Sequence, residues 1–165
     1  MKNLFIILIF CSIYSCDNRI KPDSIKQIEI NEFQKQSDID SVKGLISNSF
    51  QDIWSDLDST KIEKYYTNDF ILLENGIVWN NDSVKSHLNR KLKEVEIYKY
   101  KRLNKFDFLK SVHNQNTIWI AYDNYGTWVK GIDTLGSVHW LESVIAKKEN
   151  GRWKLQQLHS TTVKN

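Results

Sequence analysis

Apolar positions along the chain change their spacing twice. Leu4 to Ile13 runs apolar with only Cys11 and Ser12 interrupting, and Asp17 to about Ser37 is then polar with weak periodicity, a tether or, through Ile25, Ile28 and Phe33, an extra helical turn. From Asp38 onward Ile39, Val42, Leu45, Ile46, Phe50, Ile53, Trp54 and Leu57 recur at helical spacing, which predicts one amphipathic helix with Ser37 or Asp38 as its cap. Asp58 reads as the N-cap of a short second helix carrying Ile62, Tyr65 and Tyr66. Phe70–Leu73 reads as a strand, Asn75-Gly76 as a tight turn and Ile77–Trp79 as its partner. Asn81 or Asp82 can open a third helix that turns Val84, Leu88 and Leu92 inward.

Beyond that helix the period becomes two. Tyr98, Tyr100, Phe106 and Phe108 share one phase, and Ile118, Ile120 and Tyr122 mark a second long strand. Val138–Lys148 and Trp153–Thr162 make two more, joined at Asn150-Gly151. Helices first and long antiparallel strands afterwards predict an α+β domain, with the helices on one face of one sheet. A chain of 165 residues with 41% hydrophobic and 12% aromatic side chains has enough apolar surface for such a core without metal or disulfide.

The first segment has a separate meaning. Lys2 followed by about ten apolar residues falls short of the ~20 needed to span a bilayer, and fits the core of an export signal. Ile13-Tyr14-Ser15-Cys16 resembles the bacterial lipobox, in which the thiol receives a diacylglycerol and the chain is cut before the cysteine. An ordinary cleaved signal or an uncleaved anchor is the alternative. The resemblance implies a signal peptide over 1–15, a lipidated Cys16 with a tether over 16–37, and a folded domain over 38–165. It also implies export and attachment to a bacterial membrane, on the periplasmic or the cell-surface side. With Cys11 removed and Cys16 acylated, the mature domain would hold no thiol.

The order of features is informative as a set. A long helix, a short Asp-capped helix running into Tyr65-Tyr-x-x-Asp-Phe70, a glycine turn, a third helix and long strands closing on Glu149-Asn-Gly-Arg-Trp-Lys-Leu155 and His159-Ser160 resemble the nuclear transport factor 2-like (NTF2-like) superfamily. The nearest branch is the SnoaL-like, polyketide-cyclase-like group of small bacterial domains. This resemblance implies a cone of three helices on a strongly curved antiparallel sheet, a pocket inside it and frequent homodimers. It does not imply one reaction.

Candidate chemistry concentrates near the last hairpin. A two-residue turn at Asn150-Gly151 would set Glu142 opposite His159 and Trp140 opposite Thr161, on the face carrying Trp140, Val144, Ala146, Trp153 and Leu155. A carboxylate beside an imidazole is a general acid–base unit, with Tyr66 or Tyr122 assisting, and equally a structural hydrogen-bonded pair. A bulge would put the two on opposite faces. Tyr66, Trp79, Tyr122, Trp128 and Trp140, with Asn124 as a polar contact, are the candidate lining of a small-molecule pocket or simply an aromatic core. Trp54 and Trp153 are assigned to the core.

Other chemistries find little support. The four histidines are widely spaced, and there is no HExxH, cysteine cluster, phosphate loop or Gly-x-Ser-x-Gly elbow, so neither metal nor cofactor is expected. Between Lys85 and Lys105 there are eight Lys or Arg against Glu94 and Glu96, which gives a basic face open to anions or simply to solvent. Losing residues 1–15 removes only Lys2 and takes the formal charge from +3 to +2, too modest to suggest nucleic acid.

Overall fold

The structure, a computed structural model, describes residues 31–164. The segment read as an export signal, Cys16 and residues 17–30 of the expected tether lie outside the described residues. Helix α1 spans Glu32–Ser49 and continues directly into a π-helical segment, Phe50–Ser55. A short turn at Ser59–Lys61 leads into α2, Ile62–Tyr65. Strands β1 (Tyr66–Glu74) and β2 (Ile77–Trp79) precede α3 (Asn81–Tyr98), and β3 (Lys101–Asn114), β4 (Thr117–Lys130), β5 (Asp133–Glu149) and β6 (Arg152–Thr162) complete the domain.

The six strands form one sheet in the order β2-β1-β6-β5-β4-β3. It is mixed rather than wholly antiparallel, because β1 runs parallel to β6 while every other pair is antiparallel. The reason is α3: with a helix between β2 and β3, the long meander starts at the far edge and returns β6 alongside β1. Both anticipated hairpin turns form. Asn75 and Gly76 take φ values of 46° and 87°, Asn150 and Gly151 50° and 76°, the left-handed pair that a two-residue turn requires.

The concave face of the sheet carries Ile118, Ile120, Tyr122, Val144, Ala146, Leu155 and Leu158, covered by Val42, Ile46, Ile53, Val84 and Leu88 from the helices. Several assignments differ from the sequence reading. Helix α1 starts at Glu32, capped by Asn31, whose side chain accepts from Gln34 N at 2.7 Å. Asp38 is therefore not a cap but a buried residue two turns in, where its carboxylate meets His113 Nε2 at 3.3 Å and Lys148 Nζ at 3.2 Å. Leu92 is exposed, and Tyr98 ends α3 instead of joining the strand phase.

Candidate functional site

The end of the cone away from Asp38 is open inside. A cavity of about 260 Å³ is lined by Phe50 and Trp54 from the π-helical segment, Glu74 and Trp79 from β1 and β2, His87 and Lys91 from α3, Arg102 from β3, Trp128 and Trp140 from β4 and β5, and Glu142, Leu158 and Ser160 at its floor. A smaller space of about 70 Å³ adjoins it, sharing Trp54, His87, Lys91, Arg102 and Trp128.

Local sequence explains the placement. The π-helical segment closes wide turns, with Asp56 N donating to Gln51 O, and two residues past its end Leu57 takes a left-handed conformation (φ 58°). That geometry holds Trp54 against the cavity, where its indole N–H donates to the Tyr66 hydroxyl at 3.0 Å. Alternation along β3 turns Arg102, Asn104, Phe106 and Phe108 to the concave side. On α3, His87 and Lys91 follow Val84 and Leu88 at helical spacing.

Glu142 is the best-connected of the pocket's polar groups. Its Oε1 accepts from Ser160 Oγ at 3.0 Å and its Oε2 from Asn124 Nδ2 at 3.1 Å, while Asn124 Oδ1 accepts from Asn104 Nδ2 at 2.7 Å. Burial outweighs these bonds and the Arg102 charge, so the carboxyl is pushed up to about 7. Burial likewise raises Glu74 and lowers His87, the latter helped by Arg90 and Lys91. Tyr66 and Tyr122 are held far up by the same cause.

Arg102 is held differently. Its guanidinium carbon lies 4.8 Å from the Trp140 ring centre, 5.5 Å from Trp128 and 5.7 Å from Phe50. Its buried Nε has no hydrogen-bond partner, and among the described residues it forms no ion pair within 4.0 Å. Burial pulls its pKa down, against Glu142 and Glu74.

The expected Glu142–His159 unit does not form. A bulge at Gln156 moves the register: Ala146 still faces Leu155, yet Ile145 faces Gln157, Ser143 faces His159 and Glu142 faces Ser160. His159 is exposed on the convex side, and Trp140 lies opposite Thr162 rather than Thr161. Of the anticipated lining residues, Trp79, Trp128 and Trp140 border the cavity, whereas Tyr66, Tyr122 and Asn124 lie buried behind it. Trp54 belongs to the lining and not only to the core, while Trp153 does pack against the core. Sequence reasoning missed Arg102, His87, Glu74 and Lys91. The first of these was detectable, since it shares the strand phase of Phe106 and Phe108.

The arrangement defines a class: a cone-shaped α+β domain whose cavity is aromatic at the walls and ionisable at the floor. No protein-family model matches the chain, and no curated protein matches it in sequence. Solved structures match it in fold. A type 2 hexachlorocyclohexane dehydrochlorinase (LinA) superposes with a TM-score of 0.63 at 11% identity, covering 81% of this chain and 90% of its own. LinA type 3 of Novosphingobium barchaimii LL02 gives 0.64 at 10% identity, over 81% and 92% of the two chains. A Caulobacter vibrioides protein with a cystatin-like fold gives 0.56 at 14% identity, over 76% and 89%. The fold is the NTF2-like, cystatin-like cone.

Proposed function

We propose that this protein is an exported receptor, anchored to a bacterial membrane by lipid on Cys16, that binds a small, largely apolar molecule in its cone. The observation that carries the binding half is the 260 Å³ cavity walled by Trp54, Trp79, Trp128 and Trp140. It falls just below the ~300–1,000 Å³ typical of ligand sites, and combines apolar walls with a few convergent polar groups. Native mass spectrometry of the full chain, released from detergent, tests this reading. The expected result is a co-purified small molecule, lost in Trp140→Ala, with two copies per particle; an empty protein whose tryptophan emission no compound library alters would refute it.

The anchoring half rests on Ile13-Tyr14-Ser15-Cys16 and the apolar run before it. Two or three acyl chains, at ~0.8 kcal/mol per buried methylene, would hold the protein durably. Cys16→Ser is expected to move the protein from the detergent phase to the aqueous phase; unchanged partitioning would count against the lipid.

A second reading is an acid–base enzyme of isomerase or hydrolase type. What favours it is the Glu142 carboxyl, enclosed and poised near neutrality. His159 has no part in it, and the histidine that lines the cavity is His87. Turnover that disappears in Glu142→Gln would support catalysis over simple binding.

A further inference from the structure

We infer that the cone's ligand is a small organic acid bound as its anion, its apolar body among Trp79, Trp128 and Trp140 and its carboxylate on Arg102. This deepens the receptor reading and rests on it.

Among the described residues Arg102 has no carboxylate in contact. A buried guanidinium is ordinarily balanced by a carboxylate in contact, because desolvating a lone cation is costly. Here the balancing contacts are aromatic rings. Trp140, Trp128 and Phe50 fix the planar group without neutralising it, and its Nε finds no acceptor among the described residues. The Trp79 indole N–H, on the same cavity wall, is also buried without an acceptor. Two donors without acceptors thus belong to side chains that line one cavity, which favours a ligand rich in acceptors. A guanidinium fork matches the two oxygens of a carboxylate.

Size and wall chemistry restrict the rest of the molecule. An apolar cavity of ~150 Å³ accepts a benzene ring, so 260 Å³ holds a ring-sized body with a short acidic arm. A cationic ligand is disfavoured although the walls are aromatic, since Arg102 already occupies the faces of Trp128 and Trp140.

The carboxylates nearby decide the pH dependence. The titratable and charged groups around the cavity are Glu74 and Tyr66 from β1, His87 and Lys91 from α3, Arg102 from β3, Tyr122 from β4 and Glu142 from β5. The two tyrosines stay neutral, burial disfavours the charged form of His87, and Lys91 is paired with Glu94 at 2.7 Å. Burial raises both cavity carboxyls, Glu74 and Glu142, and Glu142 is the one pushed up to about 7. An incoming anion is repelled by its ionised form and accepted by its neutral form, which can donate a proton in a hydrogen bond. Binding therefore takes up a proton. With a carboxyl titrating near 7, the apparent affinity rises about tenfold between pH 8 and pH 6.

The test uses the full chain in detergent, with tryptophan emission and calorimetry as readouts and three matched probes: phenylacetate, phenylacetamide and 2-phenylethylamine. Phenylacetate is expected to bind at least tenfold more tightly than the amide, more tightly at pH 6 than at pH 8, with the amine weakest. Arg102→Gln is expected to abolish the preference and Arg102→Lys to retain part of it, with thermal melts checking that both fold. The wild-type comparison decides the matter even where a variant fails to fold. If the amide or amine binds as tightly as the acid, or if folded Arg102→Gln keeps the preference, this inference is overturned while the receptor reading stands. If none of the three binds, the inference falls, and the co-purified mass judges the receptor reading separately.

Discussion

Gly126 lies directly beneath the indole of Trp140. A Cβ placed on Gly126 would come within 2.6 Å of Trp140 Cζ3 and 3.4 Å of Arg102 Nε. The glycine is needed for close approach, not for a special backbone angle, and it lets the ring that covers Arg102 lie flat against β4. Gly126→Ala must therefore push the indole toward the cavity. Overpacking of this kind costs about 1–3 kcal/mol. Urea unfolding should register that loss, and the cavity-dependent tryptophan response to ligand should fall by tenfold or more. A stable variant with unchanged ligand response would mean that Trp140 does not form the wall.

Glu142 predicts an unusual pH dependence of stability. Its carboxyl is raised from 4.5 to about 7 in the folded protein, chiefly by burial. The folded state thus binds more protons than the unfolded state between those values, and stability falls as pH rises through that window. The amplitude is on the order of 3 kcal/mol, from 1.36 kcal/mol per pKa unit. Glu142→Gln keeps the shape and can keep both hydrogen bonds, accepting from Asn124 and donating to Ser160. Denaturant titrations at pH 5 and pH 8 are expected to show this slope in the wild type and its loss in the variant, which gains stability at pH 8. A variant with the same slope would assign the dependence to another group.

Much of the cone can be read from spacing alone. The change of period from helical to two separates the helices from the meander, and two Asn-Gly pairs mark the hairpins. What escapes is whatever depends on partners distant in sequence. The parallel β1–β6 pairing follows from how the meander wraps back, which no local pattern encodes. The bulge at Gln156 is equally silent: Trp153, Leu155, Leu158 and Ser160 are consistent with it only once one knows that Leu155 and Leu158 both face inward. That single extra residue exchanges Ser160 for His159 as the neighbour of Glu142. His159→Ala is accordingly expected to change stability by less than about 0.5 kcal/mol and to leave ligand binding intact. His87→Ala, at the cavity wall, should weaken binding. Calorimetry on the two variants compares them directly, and the opposite ranking would restore the convex-side histidine.

The start of the domain offers the last prediction. The apolar pattern sharpens only at Asp38, yet the helix begins at Glu32, because its first two turns are polar apart from an exposed Phe33 and rely on the Asn31 cap. Asp38 ties those turns to the sheet. Burial by itself would raise its pKa, but hydrogen bonds led by that from His113, and including Lys148, outweigh burial and hold it below the usual carboxylate value. Stability from this group is present above pH ~4 and fades as the carboxylate is protonated at lower pH. Asp38→Ala strands Lys148 and the His113 ring, whose side chain is only 3% exposed. Removing one partner of such a buried cluster costs about 2–4 kcal/mol. A fragment beginning at Asp38 should lose stability as well, since it places a free ammonium and an uncapped helix end at the cluster. Urea unfolding of fragments 31–165 and 38–165 makes the comparison. Equal midpoints would show that the capped turns contribute nothing to the fold.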